Sequence, residues 1–181
     1  MKATDQLKAE HEGIKLMLNI MLKMIEDKAE PNKEHLEKAI DFIKVFADKC
    51  HHGKEEDILF PVLEEAGISK ERGPIGVMLN EHTEGREYIK NLSEAFIKYK
   101  AGDKTALPAI RENISGYVML LRSHIDKENN VLFMMADRFL TEEKQEEIYE
   151  EFEKLEIEKI GAGKHEEYHN LLHEFQQIYL K

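Results

Sequence analysis

The chain has 181 residues, 26 of them Lys or Arg and 37 Asp or Glu, for a formal net charge of −11. That length suits one domain with room for an arm, and the charge excludes a nucleic-acid backbone or an anionic membrane surface as the natural partner. There is no apolar run long enough to span a membrane, no unbroken apolar core of a signal peptide after Met1, and a single cysteine, Cys50, so the expectation is a cytoplasmic protein without an internal disulfide.

Apolar residues recur at spacings of three and four, the period of helices packed on helices. The first helix is expected from Thr4 to Lys28, capped by Thr4 or Asp5, with Pro31-Asn32 as the break. A second runs from Lys33 to Glu65, and Pro61 should kink it or end its regular part. After a connection over Gly67 to Gly73, a third starts near Pro74 and stops at Ala101-Gly102-Asp103. The fourth covers Thr105 to Arg138, with Pro108 in its tolerant first turn. Thr141 caps a fifth helix, and Gly161-Ala162-Gly163 separates it from a sixth that ends near Leu180. The reading is all-α: an up-down-up-down four-helix bundle over residues 1–140, with residues 141–181 as a C-terminal helical arm of the same domain.

Each long helix can be written as a core seam. These are Leu7, His11, Ile14, Leu18, Met21, Ile25; then Leu36, Ile40, Ile43, Ala47, His51, Glu55, Ile58, Val62. The third is Ile75, Met78, His82, Gly85, Ile89, Leu92, Phe96, Tyr99, and the fourth Ile110, Ile114, Tyr117, Leu121, His124, Glu128, Val131, Met135. Every seam is apolar or small except for a histidine, or a histidine followed four residues later by a glutamate. A buried carboxylate without a partner costs several kcal/mol. No Lys or Arg lies on the seams to neutralise Glu55 and Glu128, whereas four neutral imidazoles are good metal ligands. Counting residues from the helix ends puts all six polar side chains near one level of an up-down-up-down bundle. The halves also repeat: His11 and His82 are 71 residues apart, and the pairs His51/His124 and Glu55/Glu128 are each 73 apart. Two related hairpins, each giving two imidazoles and one carboxylate, suit a two-metal site. His11, His51, Glu55, His82, His124 and Glu128 are therefore the expected metal ligands.

The arrangement His11, His51-x-x-x-Glu55, His82, His124-x-x-x-Glu128 resembles the hemerythrin-like family, or HHE cation-binding domain. Lys54-Glu55-Glu56-Asp57-Ile58-Leu59-Phe60-Pro61 and Glu128-Asn129-Asn130-Val131-Leu132-Phe133 are similar to that family's motifs. The resemblance implies two iron ions, oxo- or hydroxo-bridged, in a four-helix bundle; spacing alone leaves manganese and zinc open. It also implies a small diatomic or peroxide ligand: dioxygen, peroxide or nitric oxide, in a setting of oxidative or nitrosative stress. Storage, donation or sensing of iron, including repair of iron centres, is the alternative. Oxygen carriers of the family have a second histidine where this chain has Arg86, and His-x-x-x-x-Asp where it has His124-x-x-x-Glu128, so reversible oxygen carriage is not the expectation.

Other polar residues read more plainly. His52 should point about 100° away from His51 on an α-helix and act as a flank. His35 reads as solvated, and His165, His169 and His173 as a stripe leading away from the buried face of Tyr168, Leu172, Phe175 and Tyr179. Tyr117 and the seam methionines read as packing, Gly85 as close packing or room for a small ligand, and Cys50 as inert. The acidic run from Glu142 to Glu158 reads as a solvated face.

Overall fold

The computed structural model describes residues 1–26 and 30–181. Six helices and no strand occur among the described residues. Helix α1 is Ala3–Glu26, α2 is 33–65, α3 is Pro74–Lys100, α4 is 107–139 after a single 3₁₀ turn, α5 is Glu142–Ile160 and α6 is Lys164–Tyr179. No helix is long and apolar enough to cross a membrane, among the residues described. The expected end of the first helix at Lys28 lies outside the described residues.

Most boundaries follow from the local chemistry. The Asn32 side chain accepts from the His35 amide at 3.0 Å and starts α2, while the Tyr99 hydroxyl donates to the Pro31 carbonyl at 2.8 Å and pins the break. Pro74 and Pro108 occupy first turns, and Thr141 caps α5 through the Lys144 amide. Gly161 and Gly163, at φ of 89° and 82°, make the turn into α6 where a side chain would be strained. The start of α1 differs from expectation. The helix already includes Thr4, which is not a cap: its hydroxyl donates to Asp137 at 2.7 Å and its amide to the Gln145 side chain at 3.3 Å. The Thr4 amide is thus satisfied from α5, while the Asp5 and Gln6 amides donate to the Lys2 carbonyl.

Helix α3 packs along α4, and α1 packs on α4, α5 and α6. Helix α5 also lies against α2, so the last two helices cover the α1–α2 side. His35 is part of that seal. Its Nδ1 meets the Tyr179 hydroxyl at 2.6 Å and its ring lies 5.0 Å from Phe175, so it is not the solvated residue expected. Two apolar clusters result. One contains Ile14, Leu18, Ala47, Ile89, Leu121 and Phe175, the other Leu7, Leu59, Met78, Leu132 and Phe152.

Helices α2 and α4 are not α-helical throughout. Residues Ile43–His52 and Glu55–Leu59 in α2, and Glu128–Leu132 in α4, form π turns. The Phe60 amide donates to the Glu55 carbonyl, and the Phe133 amide to the Glu128 carbonyl, each five residues back. Pro61 follows the first of these turns and α2 continues past it to Glu65, so it does not end the helix. Nor does it cause the turn, because α4 has the same feature with Met134 at the equivalent place.

An i→i+5 turn takes up one residue more than an α turn, so the seam beyond it slips by one. This corrects four expected core positions. Ile58, Val62 and Met135 are only partly buried and Val131 is 47 % exposed, while Leu59, Leu63, Leu132 and Ala136 are fully buried. On α3, which has no π turn, every expected seam residue is buried. Leu132→Ala should therefore cost about 2–5 kcal/mol in denaturant unfolding, and Val131→Ala no more than about 0.5 kcal/mol. The opposite ranking would restore the unshifted seam.

Candidate metal centre

The two apolar clusters are separated by a polar layer. On α1, Leu7 belongs to one cluster and Ile14 to the other, with His11 between them; on α3, Met78 and Ile89 flank His82. Helix α2 contributes His51, His52 and Glu55, and α4 contributes His124 and Glu128. The six side chains expected as ligands are 0–1 % exposed, so the structure brings all six together out of solvent.

Each glutamate turns one oxygen to either side of this layer. Glu55 Oε1 lies 3.4 Å from His51 Nε2, and its Oε2 lies 3.2 Å from His82 Nε2. Glu128 Oε2 lies 3.1 Å from His11 Nε2, and its Oε1 lies 3.2 Å from His124 Nε2. His82 Nε2 and His124 Nε2 are 3.1 Å apart. Yet Nε2 of His11 and His51, and both oxygens of Glu55 and Glu128, make no hydrogen bond although no solvent reaches them. Orphaned buried polar atoms at this density need a partner. Donors about 2.1 Å from one ion and at right angles to each other lie about 3 Å apart, which is the spacing found here. Two groups converge in this way, His11, His51, Glu55 and Glu128 on one side and His52, Glu55, His82 and His124 on the other, with donor atoms within 4.8 Å of one another in each. Two cations bridged by two carboxylates fit this donor set.

The opposite nitrogen of His11, His51 and His124 is hydrogen-bonded from a neighbouring helix, and that of His82 faces a carboxylate. Glu10 accepts from His51 Nδ1 at 2.7 Å, and Glu81 from His124 Nδ1 at 2.9 Å. His11 Nδ1 pairs with Asn129 Oδ1 at 2.7 Å, and His82 Nδ1 faces Glu56 Oε2 at 3.3 Å. Such partners fix the tautomer and aim Nε2 at the centre. Lys54, fully buried, bonds Glu10 and also Glu156 of α5 at 2.8 Å; Lys127 bonds Glu81. Sequence reading gave Glu10 and Glu81 no role. The signal was available, since each ligand histidine has an acidic or amide residue beside a ligand on the next helix.

Where protons rather than a cation fill the layer, the imidazoles and carboxylates act strongly on one another. Burial pulls the His51 imidazole down, but the carboxylates of Glu55 and Glu10 outweigh it and push it up to about 10. His124 behaves alike beside Glu128 and Glu81, and rises to about 9. Burial and Glu128 push the Glu55 carboxyl up, and the imidazoles of His51 and His82 reverse this and hold it near about 2. Burial alone would raise Glu128, which the imidazoles of His124 and His11 instead hold well below the carboxylate range.

The remaining residues settle as follows. Tyr117 is buried, its hydroxyl has no partner, and burial pushes the phenol up. A Cβ on Gly85 would meet Tyr117 and Leu121 at ordinary contact distance, so close packing does not demand glycine there. Burial pushes the Cys50 thiol up to about 12, which keeps it protonated and unreactive. His165 meets Glu156 at 2.9 Å and His169 at 2.8 Å, outside the layer.

Two outcomes follow. His51 and His124 have folded values above the usual 6.5, so the stability they add is complete below about 6.5 and is lost as pH rises through about 9 to 10. Thermal melting of chelator-treated protein should fall across that range, and bound metal, which replaces the protons, should remove most of the fall. Glu10→Gln should weaken metal affinity about 10–100-fold in a competition titration, because His51 loses its anionic orienting partner.

The profile of the hemerythrin HHE cation-binding domain matches residues 2–136. Among curated proteins, the chain is similar to the iron-sulfur cluster repair protein YtfE of Escherichia coli O157:H7, 37 % identical over 93 residues. The protein of the same name from Shigella boydii serotype 18 matches with the same identity and length. Each alignment covers 48 % of this chain and 40 % of the relative, so the chain matches well under half the length of these relatives. The profile match, by contrast, runs from the start of α1 to the last turns of α4, and the chain therefore belongs to the hemerythrin HHE cation-binding family, whose di-iron cofactor its buried imidazoles and carboxylates suit.

Proposed function

We propose that the chain is a non-haem di-iron protein in which His11, His51, Glu55, His82, His124 and Glu128 hold the metals and a small oxidant is the ligand. The observation that carries this is the set of buried, unpaired donor atoms of Glu55, Glu128, His11 and His51 at the spacing of ligands about an ion. Helices α1 to α4 form the up-down-up-down bundle over residues 1–140, and residues 141–181 pack on it as part of one domain. The antiparallel order is supported by the polar layer, which lies near the starts of α1 and α3 and toward the ends of α2 and α4.

Two irons would supply redox chemistry and open coordination to dioxygen, peroxide or nitric oxide. The chain's own part is to aim the imidazoles through Glu10, Glu81, Glu56 and Asn129, and to balance charge with two carboxylates. It also keeps water out with Phe133 stacked on His11 and Phe60 on His82, at 5.5 and 5.9 Å. The printed name of the curated relatives favours a second reading, in which the same iron is donated to a damaged iron–sulfur protein.

Metal content and the ultraviolet–visible spectrum of aerobically purified protein test the central claim. About two irons per chain are expected, with near-ultraviolet bands absent from a Glu55→Ala, Glu128→Ala double variant. Absence of bound metal after anaerobic reconstitution with ferrous iron would sink the reading. With the centre in hand, reversible spectral change on gas addition would mark a sensor, sustained peroxide consumption an enzyme, and iron transfer to an apo iron–sulfur protein a donor.

A further inference from the structure

His52 is the polar residue of the layer that neither the sixfold ligand set nor packing accounts for. It is 3 % exposed, and its Nε2 is buried with no partner. Its Nδ1 lies 3.4 Å from Asp48, which is itself held by Arg86 at 2.9 Å. The ring stacks on His82 with centroids 3.9 Å apart and planes 17° from parallel, and meets His124 edge-on at 5.5 Å. A ring nitrogen of His52 lies within 4.8 Å of donor atoms of Glu55, His82 and His124. An orphaned Nε2 with an oriented Nδ1 is also the state of His11 and His51 in this layer.

The local backbone explains how adjacent residues both reach the layer. On an α-helix His52 would be turned about 100° from His51. The two residues end the π stretch Ile43–His52, where each residue turns the chain less than on an α-helix, so neighbours share a broader face.

We propose that His52 Nε2 is a third imidazole donor to the metal position held by His82 and His124. The inference rests on the di-iron reading above. It makes the two positions chemically unequal. The residue 73 positions on, Ile125, is buried and apolar, so the other half of the repeat has no counterpart. The His82/His124 position then has five protein donors, three imidazoles and one oxygen from each glutamate. The His11/His51 position has four and is the more open to a small ligand.

The test is Mössbauer spectroscopy and metal analysis of iron-loaded wild type and His52→Phe, which keeps a ring against His82 but removes the donor. Wild type should bind two irons in unequal environments. In His52→Phe one of the two doublets should shift, and the affinity for that iron should fall by about ten- to a hundredfold. Two irons with both doublets unchanged would reduce His52 to a stacking residue and overturn the proposal. If wild type itself bound no iron, the di-iron reading would fall first, so the two failures are distinct. Should His52→Phe not fold, a crystal structure of the iron-loaded wild type decides: Nε2 within about 2.3 Å of the metal supports the assignment, and more than about 3 Å overturns it.

Discussion

Two carboxylates facing each other in a dry core set the terms for the rest of this protein. Glu55 and Glu128 are fully buried, each raises the cost of ionising the other, and apolar clusters close the layer above and below. A core of this kind is stable only if something positive lies between the carboxylates, and every nearby polar side chain serves that need. Imidazoles line the gap, while Glu10, Glu81, Glu56 and Asn129 hold the imidazoles by their far nitrogens. Lys54 balances the most deeply buried of these outer groups and ties it to α5 through Glu156. The C-terminal helices are thereby connected to the centre by charge as well as by packing.

The internal repeat extends well beyond the ligands. Glu56 and Asn129 do equivalent work 73 residues apart, as do Phe60 and Phe133, and both glutamates open a π turn. A π turn re-aims a helix by one residue, and at both sites it separates a helical segment that carries ligands from one that packs an apolar cluster. The repeat fails where His52 faces Ile125 across it, and there the two halves of the centre become different.

Much of this was legible in the residues. The helix breaks at Pro31-Asn32, Gly161-Ala162-Gly163 and Thr141 are governed by local chemistry and stand where the sequence puts them. The six polar seam positions were conspicuous because a buried ion is costly, and all six are buried. What failed lay mostly beyond the π turns that Glu55 and Glu128 open: Ile58, Val62, Val131 and Met135 were assigned to the core on an α period that α2 and α4 do not keep, and Ile25, near the end of α1, is only partly buried as well. The same assumption sent His52 to the flank. Roles set across helices were also invisible, such as Gln145 on the first turn of α1, Tyr179 on His35 and Glu10 on His51. Periodicity reports which face of a helix is buried, but not which side chain of another helix will meet it.

The closure of the layer has a kinetic consequence. None of the proposed ligand side chains is open to solvent, and phenyl rings stack on the imidazoles of His11 and His82, so on the di-iron reading an ion would reach the centre only when helices part locally. Loading and loss are then timed by the breathing of the fold rather than by diffusion. An ion once enclosed would then stay for as long as the helices remain together, however weak or strong its bonds. Sensing a gas asks only that a diatomic molecule slip between side chains, whereas giving up iron asks the helices themselves to move.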